Sequence, residues 1–139
     1  MIVNLQRKIK VDSSLFKRFL STALSQTTET EGRNPSVAFI SDRRMRELNS
    51  FFRGKNSTTD VLSFPNEPDE FDKDSTNLGD IVISAEQAAH QAGENGLSLE
   101  NEIMQLILHG LLHLCGYDHE TDNGEMDARE LELRKSLGI

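Results

Sequence analysis

The stretch HGLLHLCGYDH, residues 109–119, holds three of the chain's four histidines. His109 and His113 are four apart. On a helix that spacing puts both imidazoles on one face, one turn apart. Gly116 is placed to stop such a helix in a left-handed conformation. The turn that follows can carry His119 back towards the other two. Three neutral imidazoles converging on one point make a ligand set for Zn²⁺, one ion per chain, and leave a fourth position for water. An ion held that way acidifies its water and makes it a nucleophile near neutral pH, which is hydrolytic chemistry.

The bland alternative is a set of core histidines satisfied by hydrogen bonds. A pattern H-x₃-H-x₅-H with a glycine stop inside it favours the metal. Cys115 lies about 200° round the helix from His113, so it should point away and join the core. His90 has no partner in sequence and takes the bland reading. The spacing matches the metzincin peptidase pattern H-E-x-x-H-x-x-G-x-x-H with one departure. Gly110 stands where those enzymes carry their glutamate base. The chain therefore presents a zinc-hydrolase ligand set without the peptidase base.

These residues need a frame. From Ile103 to Leu114 the sequence is apolar nearly all round, the pattern of a central buried helix. Ser98 can cap it, with Glu100 and Glu102 in a first turn that favours negative charge. Upstream, 2–6, 37–40, 60–65 and 78–84 read as strands. Helices are expected from Ser13 or Ser14, from Ser41 with Met45, Leu48 and Phe52 on one side, and from Ser84, whose capping box with Gln87 precedes a stripe of alanines. A last helix begins at about Asp122 and ends at Gly138. The order predicts one α+β domain over 1–139, a small mixed sheet of about four strands packed with about five helices, with a zincin-like metal-binding helix at its centre.

The chain has 139 residues and a net charge of -8. One cysteine excludes an internal disulfide and fits reducing cytosol. The N-terminus lacks a signal-peptide pattern and the longest uncharged run is too short to span a bilayer, so the expectation is a cytoplasmic protein with no membrane partner. The charge argues against coating nucleic acid through a general basic surface. Positive charge is nevertheless concentrated in Arg43, Arg44, Arg46, Arg53 and Lys55. The acidic stretch 67–74 would repel a polyanion and is expected away from any cleft.

HGLLHLCGYDH, RGKNSTTDVLSFP at 53–65 and LGDIVIS at 78–84, in that order, resemble the YbeY endoribonucleases, or ribosomal RNA maturation factors. The resemblance spans nearly the whole chain. It implies a zinc held by His109, His113 and His119, and cleavage of single-stranded RNA, with DNA not expected. It also implies maturation of the 3′ end of the 16S ribosomal RNA precursor, ribosome quality control, and the small ribosomal subunit with its assembly factors as partners. The family's functional arginine falls on Arg53. A guanidinium suits that role because it matches phosphate oxygens through paired hydrogen bonds. Lys55 is a possible substrate contact. Asp60 and Asp118 are candidates to orient a histidine from behind, although Asp60 could equally cap a turn. The general base stays open between Asp118, Glu120, the metal-bound water alone and an RNA 2′-hydroxyl. Two competing functions remain: a ribosome-assembly factor that uses zinc only for stability, and a zinc peptidase, against which Gly110 weighs.

Overall fold

The computed structural model describes residues 1–72 and 74–139. Four strands form one sheet: β1 (Ile2–Asn4), β2 (Asn34–Ile40), β3 (Val61–Pro65) and β4 (Asn77–Ser84). The spatial order is β1-β2-β4-β3. β1, β2 and β4 are parallel neighbours, and β3 runs antiparallel along β4. Five helices accompany them: α1 (Ser13–Gln26), α2 (Asp42–Arg53), α3 (Ala85–Asn95), α4 (Leu99–Leu114) and α5 (Glu125–Leu137). The α+β class and the mixed four-stranded sheet are as the sequence predicts.

Strand alternation divides the core. Val37, Phe39, Ile81 and Ile83 face one side of the sheet, where they meet α1 and α4 through Phe16, Leu20, Ile103, Ile107 and Leu111. Ile40 and Leu62 face the other side and meet Met45 of α2. The apolar stripe of α5, Met126 and Leu133, closes on Leu108 and Leu112 at the back of α4. The central helix is therefore enclosed by the sheet, α1 and α5.

Gly110 has a packing role that its position in the motif did not reveal. A Cβ there would lie 2.8 Å from Ile81 Cγ2 and 3.1 Å from Ser63 Oγ. Helix α4 passes too close to β3 and β4 for a side chain at that point. Gly79 is also obligatory: its φ is +138° and a Cβ would collide with the Phe64 carbonyl.

Several boundaries differ from expectation. Asp12, not Ser13 or Ser14, caps α1, accepting from the Leu15 N–H. β1 ends at Asn4 and β2 begins three residues early, because pairing with β4 extends it to Asn34. Ser84 caps α3 through the Gln87 N–H, but the Gln87 amide turns to Asp42 rather than back to the cap. The last helix starts at Glu125, while Asp122 accepts from the Gly124 and Met126 N–H groups ahead of it. Phe52 stays on the Met45 and Leu48 side of α2, its ring 5.0 Å from that of Phe64 on β3, but at the edge of the packing, where it remains exposed. Ser41 and Ser98 cap α2 and α4 as expected. No helix among the described residues is long and apolar enough to cross a membrane.

Candidate metal centre

α4 brings His109 and His113 to one face, half-buried, with His113 Nε2 and His109 Nε2 3.2 Å apart. Cys115 caps the helix and Gly116, at φ +100°, turns the chain out. The turn returns His119 to within 5.5 Å and 5.3 Å of the other two rings, centroid to centroid. One ring nitrogen from each of the three lies within 4.8 Å of the others.

The second nitrogens decide what the first can do. His113 Nδ1 sits 3.0 Å from the Tyr117 carbonyl, which only accepts, so Nδ1 carries the proton. His109 Nδ1 sits 2.9 Å from Glu130 Oε1. Burial pushes the Glu130 carboxyl up, but the hydrogen bond from His109 and the nearby charges outweigh it, so its pKa lies below the ordinary value. Glu130 is then an ionised acceptor. Burial, followed by the adjacent His109, holds His113 below the usual imidazole range and keeps it neutral.

Both Nε2 atoms thus point bare lone pairs at each other, an arrangement that a cation between them relieves. Tetrahedral zinc with Zn–N of about 2.0–2.1 Å puts its ligand nitrogens roughly 3.3 Å apart, close to the His109–His113 separation. The donor set fits a divalent ion, and the hydrogen bonds behind His109 and His113 fix their tautomers as metal-ligating histidines require.

A cleft of about 640 Å³ opens over the three histidines, and Arg53, Thr59, Asp60, Ser63, Asp118 and Glu120 also line it. Arg53 is the last residue of α2 and is exposed. Lys55 does not line the cleft. Gly54 takes a left-handed turn and the Lys55 N–H bonds back to the Asn49 carbonyl, which folds the chain over the end of α2. Arg43, Arg44 and Arg46 line other surface depressions, so the basic face of α2 does not reach the site. Asp60 accepts from the Val61 N–H and the Thr59 hydroxyl, the turn-capping alternative. Asp118 accepts from the Glu120 N–H. Among the described residues neither carboxylate hydrogen-bonds a histidine, whereas Glu130 and the Tyr117 carbonyl do. The described part of the 67–74 stretch stays out of the cleft. Cys115 is half-buried against the main core, its thiol pushed up to about 11 mainly by burial. His90 lies exposed on α3 beside Glu94.

Sequence reading missed Glu130. Its signal was present: it falls at the i+4 position of the Met126–Leu133 stripe, a carboxylate where α5 should be apolar. The Tyr117 backbone had no signal. Tyr117 is itself anchored, its hydroxyl donating to Glu29 Oε2 at 2.9 Å, and Arg129 grips the same carboxylate at 2.7 Å.

A helix-borne three-histidine centre, open on one side and set against a small mixed sheet, defines a single-domain α+β protein of the metallohydrolase kind. Most of the cleft-lining residues come from the loop and strand that follow α2 and the turn that follows α4. The chain belongs to the endoribonuclease YbeY family, whose model matches residues 1–138. A protein of Nautilia profundicola named endoribonuclease YbeY is 54% identical over 98 residues, 70% of this chain and 68% of that one. One of Carboxydothermus hydrogenoformans with the same name is 42% identical over 142 residues, 99% and 96% of the two chains. A Thermotoga maritima protein solved in solution superposes with a TM-score of 0.65 at 28% identity, covering 99% of this chain and 89% of that one.

Proposed function

We propose that this chain is a metal-dependent endoribonuclease that cuts single-stranded RNA at the three-histidine centre. We further infer that zinc is its metal, that the 16S ribosomal RNA precursor is its substrate, at the 3′ end, and that it works in the cytoplasm with the small ribosomal subunit and its assembly factors. Family membership supports the RNA endonuclease activity. The observation that carries the mechanism is the joint opening of His109, His113, His119 and Arg53 onto one cleft.

A bound divalent ion supplies a Lewis-acid charge there and acidifies a water. His109, His113 and His119 hold it. Glu130 and the Tyr117 carbonyl keep the Nδ1 protons in place and the Nε2 lone pairs inward. Arg53 meets the phosphate, where charge grows on the non-bridging oxygens during attack, and its planar donors match two of them. Asp118 already accepts a backbone N–H, whereas the Glu120 carboxylate makes no hydrogen bond among the described residues. Glu120 is the cleft carboxylate available to take a proton. Asp60, Asp118 and Glu120 oppose one guanidinium in the cleft, and a divalent ion held by the histidines would offset that excess of negative charge towards RNA.

The test incubates nuclease-free protein with single-stranded RNA, duplex RNA and casein, each with and without chelator. The expected result is chelator-sensitive cleavage of single-stranded RNA only, with about one zinc per chain by elemental analysis. Zinc-loaded protein that leaves all three intact would point to the non-enzymatic assembly factor. Casein cleavage would point to the peptidase.

A further inference from the structure

A second cavity, of about 460 Å³, adjoins the metal cleft and shares Asp60, Val61 and His109 with it. It runs along the same face of α4 towards the helix start. Glu102, Leu106, His109 and His113 follow one another at helical spacing, and the seven residues from Glu102 to His109 span about 10 Å. Its volume lies within the roughly 300–1,000 Å³ of small-ligand sites.

The lining is unusual for a surface depression. Glu102 is only 4% exposed, yet its carboxylate meets no cation among the described residues. Its hydrogen bonds come from the single Asn95 amide, 3.0 Å and 3.4 Å from the two oxygens. A carboxylate has about four acceptor positions, so about half of this one's capacity is unspent. Gln91 and Gln105 line the same cavity and their amides bond nothing among the described residues. Arg134 lines it too, with a contact to Glu130 at 3.4 Å and a buried Nε that has no partner among the described residues. Leu97 and Leu106 supply apolar walls. The mechanism above uses none of these groups on the reacting atoms.

We propose that this cavity is a nucleobase subsite that accepts an unpaired guanine next to the cleavage position, with Glu102 as its reader. Guanine's Watson–Crick edge offers two adjacent donors, N1–H and the 2-amino group, to the two oxygens of one carboxylate. Its O6 then accepts from an amide or guanidinium donor beside them. Adenine turns a bare N1 towards Glu102, acceptor against acceptor. Uracil offers one donor, and cytosine sets an acceptor beside its amino group. The apolar walls suit the faces of a flat ring. A pocket that reads this edge also requires the base to be unpaired, which gives single-strand selectivity a physical source. The proposal rests on the endoribonuclease reading for its substrate class.

The experiment separates the two. Guanosine, adenosine, cytidine and uridine 5′-monophosphates are titrated into the zinc-loaded full chain while NMR follows the side-chain amides of Gln91, Asn95 and Gln105. The expected result is guanosine binding tighter than adenosine by about ten-fold or more, the worth of one good bidentate pair. Glu102→Gln replaces an acceptor with a donor and should bring the nucleotides to within about two-fold of each other, with zinc content and Tm held. If that variant does not fold, Gln105→Met carries the same comparison and should selectively weaken guanosine. Equal affinities for all four nucleotides, or a preference untouched by the variant, overturn the subsite. Cleavage of RNA without base discrimination sinks the subsite alone. Guanine-selective binding by a chain that cuts no RNA sinks the endonuclease reading alone.

Discussion

Glu130 offers the sharpest test of how the centre is held. Its Oε1 accepts from His109 Nδ1 at 2.9 Å, its Oε2 lies 3.4 Å from Arg134, and the residue is 9% exposed. Glu130→Ala removes the acceptor and leaves a half-buried imidazole free to rotate or change tautomer. Losing such a partner behind a metal-bound histidine weakens metal affinity by about 10–100-fold, or roughly 1.4–2.7 kcal/mol. The same change strands Arg134 and opens a small void against Met126 and Leu133, so stability should also fall by about 1–3 kcal/mol. Glu130→Gln keeps the shape and an acceptor oxygen but loses the charge. A charge-assisted hydrogen bond is about twice a neutral one, so the loss in metal affinity should be smaller, nearer ten-fold. The assay is chelator competition for Zn²⁺ on natural protein and both variants, with thermal melting of the metal-free and loaded forms. If Glu130→Ala unfolds, the glutamine variant still answers. Natural zinc affinity in a folded alanine variant would mean that α5 does not orient His109, and the account of the site given above would fall.

Further outcomes follow from the geometry at Gly110, Arg53 and Glu29. Gly110→Ala should lower the Tm by a few degrees. Overpacking against Ile81 and Ser63 costs about 1–3 kcal/mol, of which better helix propensity returns roughly 1; a rise in Tm would show that α4 has room to spare. Gly110→Glu should lower it further and gain no casein cleavage, because its stem starts in that same contact. Arg53→Ala should keep zinc and fold while single-turnover RNA cleavage falls by about 10²–10³-fold, and Arg53→Lys should restore little, since an ammonium lacks the paired planar contact; cleavage at the natural rate would make Arg53 a plain surface residue. The hydrogen bond from Arg129 is the main force holding the Glu29 carboxyl down to about 2 from 4.5, so the stabilisation is full above about pH 4.5 and is lost as pH falls towards 2. Partial exposure to water reduces its worth to about 1–2 kcal/mol, and Arg129→Met should flatten acid-melting curves across that window while leaving stability changes near neutral pH independent of pH.

The sequence by itself determined what depends on near neighbours. Helical spacing converts His109 and His113 into a pair on one face because four residues make one turn, and Gly116 ends the helix because a left-handed turn needs no Cβ. Ser41, Ser84 and Ser98 announced their helices because a cap bonds N–H groups two or three residues away. Alternation placed the strands, and with them the α+β class. Tertiary structure decided which side chain stands behind His109 and what anchors Tyr117 behind His113. Glu130 reaches His109 across 21 positions and Glu29 reaches Tyr117 across 88, so no spacing rule links them. For Asp60 the sequence left a turn cap and a histidine partner open, and the fold shows the cap; Lys55, two residues from Arg53, lies outside the cleft that Arg53 lines. The meaning of Gly110 changed most. As one letter in a motif it is a missing base; in the fold it is the place where the metal-binding helix touches the sheet, and only packed elements can say that no atom fits there.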